Sequence, residues 1–177
     1  QVRQWITAGI DIPVSVNFSQ ASLADTRLSN MVNDVLFRHG LKPEYLIVEV
    51  TETLAMTELA QSLETLSRMR MKGFGLSIDD FGTGHSSLQQ LARVPYTELK
   101  IDQAFVMDAA KQSHLRAVVE SSITMAKKLG LKSVGEGIET PEDWACLQQL
   151  GCEIGQGYHI AKPMEGERLI EWSREYR

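Results

Sequence analysis

The chain has 177 residues, of which 43% are hydrophobic and 23% are charged, and this composition excludes a disordered protein and predicts one folded domain. Eighteen Lys and Arg residues against 23 Asp and Glu residues give a net charge of −5, which argues against a surface for nucleic-acid polymers. The sequence has no apolar run of membrane-spanning length, no hydrophobic leader and no C-x-x-C pair, so we expect a reducing compartment.

Short apolar strands alternate with amphipathic helices along the chain. After a helix end at 1–8, strands are predicted at 13–17, 46–50, 75–79, 98–101, 133–136 and 153–157. Helices are predicted at 57–71, 113–129, 140–150 and 165–176. This alternation predicts an α/β fold with a parallel sheet and right-handed crossovers.

A TIM-like (β/α)8 barrel is the fold that this rhythm favours. Such a barrel has eight strands and about 250 residues, whereas the sequence supplies six strands, so we expect this chain to lack the first two. The alternative is a complete doubly wound open sheet, although the chain has neither a G-x-G-x-x-G nor a Walker phosphate loop.

Polar side chains stand at the carboxyl end of every predicted strand. They are Asn17, Glu49, Asp79 with Asp80, Lys100 with Asp102, Glu136 and Gln156. Ligands bind at these strand ends in parallel α/β folds, so we expect the side chains to converge on one pocket. Carboxylates that share a pocket repel each other unless a cation lies between them. The all-oxygen donor set suits Mg²⁺, Mn²⁺ or Ca²⁺ rather than zinc.

The adjacent acids Asp79 and Asp80 can be read in two ways. They could bridge two ions that clamp a phosphoryl displacement, or they could cap a helix in a turn. The following segment, residues 81–87, contains two glycines and three hydroxyl side chains, which is typical of a ligand-facing turn. Alternatively, it is a connection that caps the next helix through Ser86.

Lys100 lies within a predicted strand, where a lone cation is costly to bury. The surrounding carboxylates, together with a phosphate or a water molecule, would satisfy it. The alternative is an ordinary salt bridge to Asp102 or Glu98.

These motifs resemble the EAL domain of cyclic di-GMP phosphodiesterases. In the order of that family they are Val16-Asn17-Phe18-Ser19, Glu49-Val50-Thr51-Glu52, Asp79-Asp80-Phe81-Gly82-Thr83-Gly84, Leu99-Lys100-Ile101-Asp102, Glu136-Gly137-Ile138-Glu139-Thr140 and Gln156-Gly157-Tyr158. They span nearly the whole chain, so residues 1–177 are interpreted as one EAL domain that is incomplete at its N-terminus. The resemblance implies a modified TIM barrel whose first strand is antiparallel.

The resemblance implies a set of metal ligands. Asn17, Glu49 and Asp79 would bind a first divalent ion. Asp79 would bridge to a second ion, beside Asp80, and Glu136 would serve the second ion or its water. Asp80 and Glu136 are also expected to be catalytic, with Glu136 as a general base.

The resemblance also implies roles around the metals. Lys100 would be catalytic by holding the attacking water or a phosphate oxygen. Gln156, Asp102 and Pro163 would bind the substrate, and Glu52 would stabilise the loop that follows Asp80 rather than touch the substrate.

Two departures from the family pattern concern activity. The Glu-Ala-Leu signature, whose glutamate is a metal ligand, is absent from this chain. His85 stands where the family more often has tyrosine, in the loop that shapes the site.

Hydrolysis of cyclic di-GMP to linear pGpG with two Mg²⁺ or Mn²⁺ ions is the predicted function, provided that the full protein contains the signature glutamate. The first alternative is an inactive cyclic di-GMP receptor. The second is a barrel enzyme that abstracts a proton next to a carboxylate. The resemblance further implies a cytoplasmic domain, a homodimer in the full protein, fusion to sensory or GGDEF-type domains, and in some cases an inner-membrane anchor.

Overall fold

The computed structural model describes residues 1–52, 59–83, 91 and 93–176, without the side chains of 59–61. In this part of the chain, six short strands form one parallel sheet. The strands are β1 (Val14–Asn17), β2 (Leu46–Thr51), β3 (Gly75–Phe81), β4 (Glu98–Ile101), β5 (Lys132–Gly135) and β6 (Ile154–Gly155). Their order in the sheet follows their order in the chain. A doubly wound sheet reverses its strand order at a switch point, so that alternative is wrong and the TIM-like architecture is confirmed.

Helices occupy the connections between the strands. They are α1 (Val2–Thr7), α2 (Gln20–Leu23), α3 (Leu28–Arg38), α4 (Leu59–Lys72), α5 (Gln103–Val106), α6 (Ser113–Leu129), α7 (Pro141–Leu150) and α8 (Arg168–Glu175), with a 3-10 turn at Pro43–Tyr45. The helix predicted at 57–71 is seen from Leu59 onward, and its first two residues lie outside the described ones. Among the described helices, none has the length and apolar character that crossing a bilayer requires.

Local sequence signals explain where the later helices begin and end. Thr140 accepts a hydrogen bond from the Asp143 amide and forms a capping box with it, which confirms the predicted start of α7. Gly130 ends α6 in the left-handed conformation, with φ at 70°. The last helix is shorter than predicted and begins only at Arg168.

The core lies between the sheet and the helices. Val48 and Val50 are at most 1% exposed and lie on the face of β2 opposite to Glu49, because side chains alternate along a strand. On α6, the buried stripe contains Val119, Ile123 and Ala126. Val118, the apolar neighbour of Val119 on this helix, is 36% exposed. The reason is that one residue turns a helix by about 100°, which carries Val118 beyond the edge of the stripe.

Candidate active site

Lys100 lies at the centre of a buried acidic cluster at the carboxyl end of the sheet. Its Nζ lies 3.0 Å from Oε1 of Glu49, 3.1 Å from Oδ1 of Asp79 and 2.7 Å from Oε1 of Glu136. The lysine side chain is only 6% exposed. These carboxylates come from β2, β3 and the residue after β5, at the carboxyl ends of strands in one sheet. In the register, Glu49 stands opposite Ser77, two residues before Asp79 on the same side of β3. The predicted convergence of these four strand-end residues is therefore seen in the geometry.

The ordinary salt-bridge alternative for Lys100 is wrong. Within the described residues, its ion-pair partners are the three cluster carboxylates, and neither Asp102 nor Glu98 is among them. Asp102 instead caps α5, where its Oδ1 accepts a hydrogen bond of 2.7 Å from the Ala104 amide.

Burial and charge oppose each other at this cluster. Burial lowers the pKa of Lys100, but the hydrogen bonds and charges of Glu136 and Glu49 outweigh burial and raise it above its ordinary value. Burial raises the pKa of Glu136, and the charges of Asp79 and Glu49 raise it further, while Lys100 acts in the opposite direction. An ammonium that stays charged thus compensates carboxylates that repel each other.

Asp79 and Asp80 place two carboxylates side by side at the end of β3. Asp80 has a left-handed backbone, with φ at 56°, and its amide donates a hydrogen bond of 3.1 Å to Oδ1 of Asp79. Carboxylate oxygens of Asp79, Asp80 and Glu136 lie within 4.8 Å of one another. Burial raises the pKa of Asp80, and the charges of Asp79 and Asp102 add to this effect. This all-oxygen set fits a hard divalent cation.

Glu52 connects the end of β2 to the turn after Asp80. The amide of Gly82 donates a hydrogen bond of 2.8 Å to Oε2 of Glu52, and the Glu52 side chain is almost fully buried. Gly82 has φ at 99°, and a Cβ at this position would lie 2.8 Å from the Phe105 ring. Glycine is therefore required here by both backbone conformation and space. This contact agrees with the predicted loop-stabilising role of Glu52; His85 and Ser86, farther along the loop, lie outside the described residues.

Glu52→Ala is expected to lower kcat/KM about 10-fold to 100-fold and to weaken the response to metal, without removing a metal ligand. The reason is that a hydrogen bond to a charged group contributes about 1.5–3 kcal/mol, and about 1.4 kcal/mol corresponds to tenfold in rate. Hydrolysis rates should be measured against metal concentration, with Glu64→Ala as the control, since Glu64 pairs with Arg68 on the surface. Unchanged turnover and metal response in Glu52→Ala would contradict the role.

A cavity of about 630 Å³ opens above the acidic cluster. The predicted substrate-binding residues Gln156, Asp102 and Pro163 line it, together with Asp79, Asp80 and Glu136. Other lining residues received no role in the sequence analysis, and they are Gln103, Gly137, Glu139, Gly157, Tyr158, Ala161 and Lys162. They all lie in the segments that follow β4, β5 and β6, and the presence of four of them in the motifs quoted above was the available signal.

Gln156 is held in place by the backbone around it. Its amide donates a hydrogen bond of 2.9 Å to the Gly135 carbonyl, and its carbonyl accepts one of 3.1 Å from Ile138. Gly157 allows this approach, because a Cβ there would collide with the Ile138 backbone. Gln156 and Glu136 thus line the same wall of the cavity.

The position of Asn17 gives less support for a metal-ligand role than the positions of the other predicted ligands. It lies beside Glu49 in the register of β1 and β2. Its side chain is exposed, and it is not among the described residues that line the cavity. Its role as a metal ligand stays a prediction.

Comparisons with known proteins agree with this geometry. The sequence profile of the EAL domain matches residues 1–163. The bifunctional diguanylate cyclase/cyclic di-GMP phosphodiesterase MucR of Pseudomonas aeruginosa is 42% identical over 171 residues, which are 96% of this chain and 25% of that protein. The chain thus spans about a quarter of the length of this relative.

Solved structures extend the comparison. The PaMucR phosphodiesterase in its c-di-GMP complex superimposes with a TM-score of 0.88 at 42% identity, over 94% of this chain and 68% of that one. Klebsiella pneumoniae BlrP1, in a complex with manganese and cyclic di-GMP, gives a TM-score of 0.84 at 31% identity, over 92% of this chain and 42% of that one.

Proposed function

Because the chain belongs to the EAL domain family, we propose that it hydrolyses cyclic di-GMP to linear pGpG with two divalent ions, Mg²⁺ or Mn²⁺. The observation that carries this proposal is the set of Asp79, Asp80 and Glu136 oxygens within 4.8 Å of one another, in the lining of a cavity large enough for a nucleotide. The names of the similar proteins support the substrate, and the manganese in the BlrP1 complex supports the metal.

The proposed ligands divide between the two ions. Asn17, Glu49 and Asp79 would hold the first ion, while Asp79, Asp80 and Glu136 would serve the second or its water. When bound, such ions lower the pKa of a coordinated water and neutralise charge on the phosphate.

The residues around the metals carry out the remaining tasks. Glu136 would accept a proton from the attacking water as the water oxygen bonds to phosphorus. The P–O3′ bond breaks in the same step, and the leaving 3′ oxygen takes up a proton from solvent to become a hydroxyl group. Lys100 donates hydrogen bonds to that water or to a phosphate oxygen, and its ammonium stabilises the charge that develops there. Gln156, Asp102 and Pro163 orient the nucleotide in the cavity. Their place in the cavity lining supports this role.

Metal dependence tests this proposal directly. The full-length protein should convert cyclic di-GMP to pGpG with Mg²⁺ or Mn²⁺, and Ca²⁺ should inhibit, because Ca²⁺ accepts larger and looser coordination. Product should be measured by chromatography after chelation and after metal is restored. Full turnover in excess chelator would exclude the two-metal mechanism, whereas tight binding of cyclic di-GMP without turnover would favour the receptor alternative.

A further inference from the structure

Carboxylates of the proposed metal site surround the ammonium group of Lys100. An ammonium group has three donors, and three carboxylate oxygens lie within 3.1 Å of its Nζ. All three belong to proposed metal ligands, Glu49, Asp79 and Glu136. The lysine therefore places its positive charge next to three carboxylates that are proposed to hold the metals.

The Lys100 ammonium compensates negative charge that is buried around it. Three carboxylates surround one ammonium, and the side chains of Glu49, Asp79 and Glu136 are only 7%, 14% and 15% exposed. Buried carboxylates without a nearby cation are strongly destabilising. Lys100 supplies that cation from within the chain.

We propose that Lys100 is a built-in counter-ion that holds these carboxylates together when no divalent ion is bound and that competes with the metal for them. This inference rests on the proposed function, since the carboxylates are those assigned to the metals. Two consequences follow. The ammonium and the metal share the same carboxylates, so each weakens the attraction of these carboxylates for the other, and the ammonium repels the incoming dication. A neutral residue at this position should therefore bind metal more tightly, although the protein without metal should be less stable.

The test compares Lys100→Met with the wild type in the full-length protein, without nucleotide. Mn²⁺ affinity is measured by calorimetry, and melting temperature is measured in chelator and in saturating Mn²⁺. We expect Lys100→Met to bind Mn²⁺ about 10-fold more tightly or better, to melt at a lower temperature in chelator, and to recover in Mn²⁺. Lys111→Met is the matched control, because it removes the same charge from a lysine that is 70% exposed and pairs with Asp108. Its Mn²⁺ affinity should not change.

An increase in Mn²⁺ affinity separates this role of Lys100 from simple structural damage, because structural damage would weaken metal binding. Lys100→Gln serves as a second neutral variant. If one or both variants fold only in Mn²⁺, the inference is supported, because the metal replaces the ammonium. If both bind Mn²⁺ no better than the wild type, or if neither folds even in Mn²⁺, the inference is wrong. Turnover of cyclic di-GMP by the wild type tests the proposed function separately.

Discussion

Asp79→Asn is expected to abolish turnover and to weaken Mn²⁺ binding in the same variant. Asp79 lies at the centre of the site, 3.1 Å from Lys100, beside Asp80, and within reach of Glu136. The substitution keeps the size of the side chain but removes a charge that both ions are proposed to share. Loss of a partner outside the ligand set already costs about 10-fold to 100-fold in metal affinity, so a bridging ligand should cost at least as much.

Calorimetry with Mn²⁺ and single-turnover hydrolysis would measure the two effects of Asp79→Asn separately. Asp108→Asn is a suitable control, because it makes the same chemical change in a surface aspartate that pairs with Lys111. Its left-handed backbone, with φ at 63°, also accepts asparagine readily. Normal metal affinity with lost turnover in Asp79→Asn would mean that Asp79 does not bridge the ions.

Glu136→Gln is expected to lower kcat about 10²-fold or more while cyclic di-GMP still binds. The amide keeps the size of the side chain and an oxygen that can accept the 2.7 Å hydrogen bond from Lys100, but it loses the charge and the basicity. A general acid or base contributes about 10²-fold to 10⁴-fold, and the lower limit applies because the metals share the activation of water.

Rate and affinity have to be measured separately for Glu136→Gln. A fall in kcat with retained substrate binding identifies an interaction that is made in the transition state. Glu139→Gln is an informative comparison, since Glu139 lines the same cavity but lies outside the acidic cluster. If Glu136→Gln retained a near-normal kcat, Glu136 would be excluded from the catalytic residues.

The strands were predictable because a strand buried by helices gives a short apolar run. For β2, the run at 46–50 matches Leu46–Thr51 closely. The length of the last strand was overestimated, because a strand was predicted at 153–157 and β6 has only two residues. The backbone hydrogen bonds of Gln156 follow β6 without extending the regular strand. Helices α2, α3 and α5 lie outside the predicted helical ranges. For α2 and α5 the reason is their length, since four residues are too few for the 3.6-residue period to repeat.

The positions of the charged side chains at the strand ends follow from the sequence alone. Strand direction and alternation place Glu49, Asp79, Lys100 and Glu136 on one side of a parallel sheet, and similarity to a known family indicated their chemistry. The homodimer, the fused domains and the metal roles of individual ligands stay predictions.

What only the tertiary structure decided is which groups contact each other within that site. Lys100 is two residues from Asp102 and from Glu98, yet its Nζ bonds to carboxylates that are 51, 21 and 36 positions away in the sequence, on Glu49, Asp79 and Glu136. Periodicity gives the side of the strand on which a side chain lies, but not where the end of a long, flexible side chain comes to rest. That position depends on the register of neighbouring strands and on the cost of burying carboxylates without a cation.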